Sequence, residues 1–301
     1  MVIMMKKITG ILSIFLCVML LLGACGKKEE RKVVLGYDNT AEEAIIANML
    51  IDLIEQDTDI QVDVVGDLAG GETVLHPAIT SGEIDMYPEY TGTAWLTTLK
   101  HTDIPDRDTL NEQLFAEFND KYDISWVGLY GFSNSYGIAV SNAVAEKYNL
   151  KTYSDLAKVS SELTFGAEPG FFEREDAYNG LCEAYGFDFK ESSDLVFSAK
   201  YDAVAEGKVD VINIFTTDGR LAISDVTVLE DDLHYFTDYL CGTIIRNDTL
   251  QKYPELKDVL MKMDGLITNA DMSALNNAVE VDGEEPETVA ENFLKEKGLL
   301  G

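Results

Sequence analysis

Five short stretches combine aromatic rings with turn-forming and hydroxylated residues. They are Gly36-Tyr37-Asp38-Asn39-Thr40, Tyr87-Pro88-Glu89-Tyr90-Thr91-Gly92-Thr93, Gly131-Phe132-Ser133-Asn134-Ser135-Tyr136, Phe215-Thr216-Thr217-Asp218-Gly219 and His234-Tyr235-Phe236-Thr237-Asp238-Tyr239. Rings carried on loops present electron-rich faces. A cation is the guest that such faces attract. Converging ring faces suit it, each worth about 0.5–2 kcal/mol. Three or four such rings supply much of the ~8 kcal/mol that a micromolar dissociation constant represents. Against this, the chain holds 14 Tyr and 13 Phe, so most of its rings must serve the core or the surface, and no single one carries the argument.

The sequence offers little for catalysis. It contains no G-x-S-x-G, no H-E-x-x-H, no P-loop and no G-x-G-x-x-G. The histidines His76, His101 and His234 are not at metal-ligand spacing, and His76-Pro77 reads as a helix start. Glu230-Asp231-Asp232 lacks the calcium-loop pattern and reads as a solvated loop. No metal, no cofactor and no enzymatic activity are expected. The net charge of −31 repels phosphate backbones, so nucleic acid is excluded as a partner. Such a field draws cations only at short range, because salt screens it over ~8 Å. Its simplest role is to keep an exported protein in solution.

The rings must be positioned by regular elements. Lys32–Gly36, Ile60–Val65 and Ile84–Tyr87 read as strands, separated by a helix over Thr40–Gln56 and another through Leu75 and Ile79 that stops near Gly82. This order predicts a parallel α/β lobe. Further strands are expected at Leu163–Ala167, Leu195–Ser198, Val209–Ile214 and Thr243–Arg246, with Tyr136–Ser141 and Val226–Leu229 as additional runs. Helices are expected at Ala177–Tyr185, Tyr201–Glu206, Pro254–Met263, Thr268–Val279 and Pro286–Lys297. Residues 81–87 and 206–212 share one pattern, a glycine-capped helix end followed by an apolar–Asp–apolar strand. Two lobes are predicted, with the chain crossing between them near Phe132–Tyr136 and His234–Tyr239. Lobe I would take 33–134 and 239–301, and lobe II 135–238.

Lys6 and Lys7 precede an apolar run, Ile8 to Leu22, that ends in Leu22-Gly23-Ala24-Cys25. The run falls short of the ~20 residues a spanning helix needs, so residues 1–24 read as a signal peptide. The last four residues resemble a bacterial lipobox, with Cys25 as the lipidated residue and 25–32 as a tether. Two cysteines then remain, Cys182 and Cys241, either as buried apolar residues or as a bridged pair.

In this order and spacing the five stretches resemble the osmoprotectant-binding family of ABC importers, whose members bind glycine betaine, carnitine, choline and related compounds. The resemblance runs from about residue 33 to 300. It includes 163–169 (LTFGAEP), Arg174-Glu175-Asp176 and 293–299 (FLKEKGL). It implies a periplasmic-binding-protein-like fold of type II with an interlobe cleft, a quaternary-ammonium ligand, an ABC permease as partner, a lipid-anchored place on the extracytoplasmic face, and a monomer. Position by position it implies a cage of Tyr90, Tyr136, Phe215 and Tyr239. Thr93 is implied as a nearby polar position, and Asn39, Thr40 and Thr73 as holders of a carboxylate or hydroxyl. Tyr87 competes with Tyr90 for the same place, and Asp218-Gly219 reads as a turn.

One segment departs from the family. Many relatives read S-K-N-F-T-E-Q where this chain has Tyr37 to Glu43, so Asp38 replaces a lysine and Glu43 a glutamine. If that segment lines the cleft, the added negative charge favours a plain cation over a zwitterion; if it faces solvent, it changes nothing. Three other functions stay open from the residues, one of them a fixed structural or adhesion lipoprotein. An amino-acid receptor would set Arg174 or Arg246 against a carboxylate, and a secreted enzyme would need a nucleophile with a base.

Overall fold

The computed structural model describes residues 30–38, 40–68, 71–173, 175–195 and 199–301. The signal segment with Cys25, and also Asn39, Gly70, Arg174 and Val196–Ser198, lie outside the described residues. Val33–Gly301 forms one compact unit. Among the described residues, ten strands run in the order β1 (Lys32–Asp38), β2 (Gln61–Leu68), β3 (Met86–Tyr90), β4 (Ile124–Ser133), β5 (Tyr136–Ser141), β6 (Thr164–Ala167), β7 (Glu191–Asp194), β8 (Val211–Phe215), β9 (Val226–Val228) and β10 (Leu240–Arg246).

The strands form two five-stranded sheets, β2-β1-β3-β10-β4 and β7-β6-β8-β5-β9. In the first, β1 and β3 are parallel, while β10 runs antiparallel to β3 and to β4. In the second, β6 is parallel to β7 and β8, while β5 runs antiparallel to β8 and β9. The lobes are therefore mixed rather than purely parallel. The antiparallel member next to the third strand arrives along a crossing connection: β10 comes from the second sheet and β5 from the first. Those connections run through Asn134-Ser135 and through 229–239.

Helix α1 (Ala41–Asp57) starts at Thr40, whose hydroxyl accepts the Glu43 N–H. Its Ile45, Ile46, Met49, Leu50, Leu53 and Ile54 are buried in one core with Val33 and Leu35, on one face of the first sheet. The opposite face carries Leu75, Ile79, Ile84, Tyr87 and Trp95. This alternation is what a strand buried on both sides requires. The second sheet is covered likewise, with Ile138, Phe165 and Val211 in one cluster and Ala139, Ile212 and Ile214 in another.

Helix α2 (Glu72–Ser81) ends at Gly82 with φ 82°, so His76 and Pro77 sit in its middle rather than at its start. Two elements carry weak sequence signals. Helix α3 (Arg107–Tyr122) buries only Leu110, Leu114 and Phe118, and β4 alternates through two glycines, Gly128 and Gly131. The strand expected at Leu195–Ser198 falls, but for Leu195, outside the described residues, and the strand beside β6 is Glu191–Asp194. It is a polar edge strand of sequence ESSD, so hydrophobicity could not mark it. The helix expected over Pro254–Met263 is two shorter pieces, Leu256–Leu260 and a tight turn at Met261–Met263, preceded by a helix at Asn247–Lys252.

Helix α4 (Asn269–Glu280) begins with a capping box between Thr268 and Asp271. The short turn Gly219–Ile223, which follows the second sheet's β8, rests on it. A Cβ at Gly219 would lie 2.8 Å from the Asn277 nitrogen and 2.9 Å from the Asn276 carbonyl carbon, so only glycine fits that contact.

Candidate functional site

The stretch Tyr90-Thr91-Gly92-Thr93 stands where β3 ends. Tyr90 is half-buried, and its N–H is held by Glu89 Oε1 at 2.6 Å. Thr91 ties down the second crossing connection, for its hydroxyl accepts the Leu240 N–H at 3.1 Å. Gly92 makes room for a ring: a Cβ there would lie 2.7 Å from Tyr239 Cδ1 and Cε1. Tyr239 is also set from its own backbone, donating its N–H to Ser133 Oγ at 2.9 Å and accepting the Asn134 N–H at 3.0 Å. Thr93 then faces the space these rings enclose.

The other crossing stretch works the same way. Phe132 is fully buried and anchors β4. The Ser133 carbonyl accepts from Thr216 Oγ1 at 2.6 Å and from Asn269 Nδ2 at 2.8 Å. Ser135 Oγ donates to the Thr237 carbonyl at 2.8 Å, so the two crossing connections are laced together. Tyr136 opens β5 opposite Phe215, the last residue of β8, and their rings stack at 4.8 Å and 29°. Phe215 is fixed by Asp218, whose Oδ2 accepts the Phe215 N–H at 3.1 Å and the Tyr201 hydroxyl at 2.6 Å. Asp218-Gly219 is thus a turn that orients a ring.

Tyr90, Tyr136, Phe215 and Tyr239 line one cavity of about 480 Å³ with Thr93, Asn134, Leu96 and Thr97. Tyr90 ends a strand of the first sheet, Tyr136 and Phe215 belong to strands of the second, and Tyr239 closes the connection that leads into β10. Thr40, Thr73 and Tyr87 are not in that wall. Thr40 caps α1, Thr73 is exposed in the first turn of α2, and Tyr87 is buried with its hydroxyl on Glu89 at 2.9 Å. Sequence reasoning passed over three residues of the wall. Asn134 stood inside a quoted stretch, whereas Leu96 and Thr97 belong to a wide helical turn after Thr93 that no motif announces.

A larger cavity of about 940 Å³ borders the alternate residues of the crossing connections, Ser133, Ser135 and Asp238, where Asn134 and Tyr239 face the smaller one. Its wall includes Asp238, which binds Arg107 through two hydrogen bonds of 2.6 and 2.8 Å. It holds one of the four rings, Tyr136, and is not the aromatic site.

Electrostatics beneath the rings differ from place to place. Under Tyr90 lies Glu42, only 5 % exposed, whose Oε1 accepts the Tyr90 hydroxyl at 2.5 Å and Asn134 Nδ2 at 2.9 Å. Burial, then the nearby Glu42 charge, holds the Tyr90 phenol well above its usual range, so it stays a neutral donor. Glu43 is buried and accepts the Asp38 N–H at 2.6 Å; burial pushes its carboxyl up to about 7. Neither Asp38 nor Glu43 lines the aromatic cavity. Beneath Phe215 lies Lys200, fully buried, with its Nζ 3.6 Å from Glu168 and from Asp218 and 5.8 Å from the Phe215 ring centre. Burial lowers the Lys200 pKa.

Arg246, a candidate for a carboxylate, directs its guanidinium to Asp248 at 2.6 and 2.9 Å and is not in the cavity wall. Cys182 and Cys241 are free thiols, and Cys241 is buried opposite Tyr90 in β10. Among the described residues no helix is long and apolar enough to cross a membrane.

Two mixed sheets joined by two crossings, with a ring-lined cavity at the crossings, define a two-lobe α/β solute-binding fold of type II. A crystal structure of a glycine betaine/carnitine/choline ABC transporter superposes with a TM-score of 0.85 at 36 % identity, over 89 % of this chain and 99 % of that one. Residues 31–296 match the family described as the substrate binding domain of the ABC-type glycine betaine transport system, and the chain belongs to this family. Its members are solute-binding components rather than enzymes. The chain is 39 % identical over 273 residues to the ergothioneine transport permease/ergothioneine binding protein EgtU of Helicobacter pylori (strain G27). That match covers 90 % of this chain and 48 % of the relative, so the chain spans about half of that protein's length. It is 33 % identical over 305 residues to the carnitine transport binding protein OpuCC of Listeria monocytogenes, over 99 % of each.

Proposed function

We propose that this chain captures a trimethylammonium solute between two lobes and delivers it to an ABC permease. The observation that carries the reading is the convergence of Tyr90, Tyr136, Phe215 and Tyr239 on one cavity. Ring faces from both halves bind the cation only when they surround it, so the guest stabilises the closed arrangement over the open one. Thr93 and Asn134 supply the polar edge of the cage. Family membership and the names of the relatives support glycine betaine, carnitine, choline and ergothioneine as candidate guests. Lobe I is assigned to 33–134 and 239–301, and lobe II to 135–238. The first 24 residues act as a signal peptide, Cys25 carries the lipid, and 25–32 tether a monomeric receptor on the extracytoplasmic face.

Isothermal calorimetry on the detergent-solubilised full chain tests this, with those four compounds and with glycine and proline as controls. Binding near micromolar, ~8 kcal/mol, to at least one trimethylammonium compound and to neither control is expected. Binding to an unmethylated amino acid alone would sink the cage.

A further inference from the structure

Three glutamates are buried around Tyr90: Glu42, Glu43 and Glu89, at 5, 7 and 2 % exposure. Only Glu42 reaches a cage ring through that ring's hydroxyl. Its carboxylate faces three donors, the Tyr90 hydroxyl at 2.5 Å, Asn134 Nδ2 at 2.9 Å and Asn276 Nδ2 at 3.0 Å. All three are neutral groups. No ion pair among the described residues reaches Glu42, whereas Lys200 in the other half sits between Glu168 and Asp218.

A phenol that donates to a carboxylate gains electron density in its ring, and the ring face then attracts a cation more strongly. Phe215 has no hydroxyl to receive such help, and its ring already lies near the Lys200 ammonium. At Tyr90, by contrast, a buried carboxylate reaches the ring through the ring's own hydroxyl.

We infer that Glu42 is a specificity-determining charge of the site: acting through the Tyr90 hydroxyl, it tunes the cage for a trimethylammonium group over an uncharged tert-butyl group of the same shape. This rests on the cage proposed above. Glu42 is a positioning residue here, since it touches the ring and not the guest.

The test titrates the detergent-solubilised full chain and its E42Q form with each trimethylammonium compound that binds, paired with its carbon isostere. For choline the isostere is 3,3-dimethylbutan-1-ol, and for glycine betaine 3,3-dimethylbutanoate. E42Q is expected to weaken the cation about tenfold and the isostere less than about twofold. Equal weakening of both would make Glu42 a packing residue and overturn the inference while leaving the cage intact. A wild-type chain that binds no trimethylammonium compound removes the cage, and the inference with it. Tyr90→Phe gives a second readout should E42Q fold poorly, because it keeps the ring and deletes the hydroxyl. It should reproduce the selective loss, and adding E42Q to it should cost no more than about twofold further. Additive losses would rule out a route through the hydroxyl.

Discussion

In the first sheet, β3 begins beyond Asp85, whose carboxylate accepts the Val34 N–H at 2.7 Å and the Thr249 hydroxyl at 2.9 Å, while its carbonyl accepts the Arg246 N–H. In the second, β8 begins beyond Asp210. Its carboxylate accepts the Thr164 N–H and hydroxyl, both at 2.9 Å, and its carbonyl accepts the Ser141 N–H. Each aspartate pins a third strand to the first strand on one side and to the antiparallel strand on the other. Each follows a glycine of positive φ, Gly82 or Gly207. The frames are alike down to these bonds. They part company at the far strand ends, where Tyr90 stands over a carboxylate and Phe215 over a lysine held by two carboxylates. A repeated scaffold fixes where rings can meet, and the buried charge beneath each ring is free to differ.

The sharpest test of that asymmetry is on the acidic side. The Glu43 carboxyl is raised by burial from 4.5 to about 7. The folded chain therefore keeps that proton over a range where the unfolded chain has lost it. The stabilising contribution is full below 4.5 and declines as pH rises through about 7, by up to about 3 kcal/mol at ~1.4 kcal/mol per unit. E43Q, which restores the residue many relatives carry, should remove this slope; urea titrations of both forms at several pH values would show it. Parallel curves for the two forms would mean that the acid is accommodated as easily as the amide.

Binding gives the next contrast. Tyr90→Ala deletes a ring and leaves Glu42 without its closest donor, so a loss of about a hundredfold is expected by calorimetry. Phe215→Ala should cost no more than about tenfold, because its ring has no hydroxyl through which a buried carboxylate can enrich it. The reverse order would break the comparison. The smallest effect should be a difference near zero. D85A and D210A each remove two hydrogen bonds to a charged acceptor and should each cost about 3 kcal/mol or more in urea unfolding. A gap much wider than ~1 kcal/mol would show that the two frames are alike in outline only.

The cage rings were legible because each lies in a local pattern: Tyr90 before a small Thr-Gly-Thr turn, Tyr136 after Asn134-Ser135, Phe215 before Asp218-Gly219, and Tyr239 at the end of a crossing connection. Those patterns exist for local reasons, such as the Gly92 hydrogen that admits the Tyr239 ring. Glu42 was not legible. Its three partners lie 48, 92 and 234 positions away, and from the sequence it reads only as an acidic first-turn residue of α1. Asp38 and Glu43 drew notice as departures from the family, yet they meet each other rather than the cavity. Strand β7 escaped for a different cause, since a polar edge strand leaves no apolar trace.

The contact at Gly219 bears on how the halves are spaced. The turn that follows Phe215 touches the backbone of α4 with a single hydrogen atom between them. Any larger side chain would act as a shim in this joint and prop the two sheets apart on the same turn that carries one wall of the cage. The gauge of the ring box is set, in effect, by the thinnest spacer the genetic code provides.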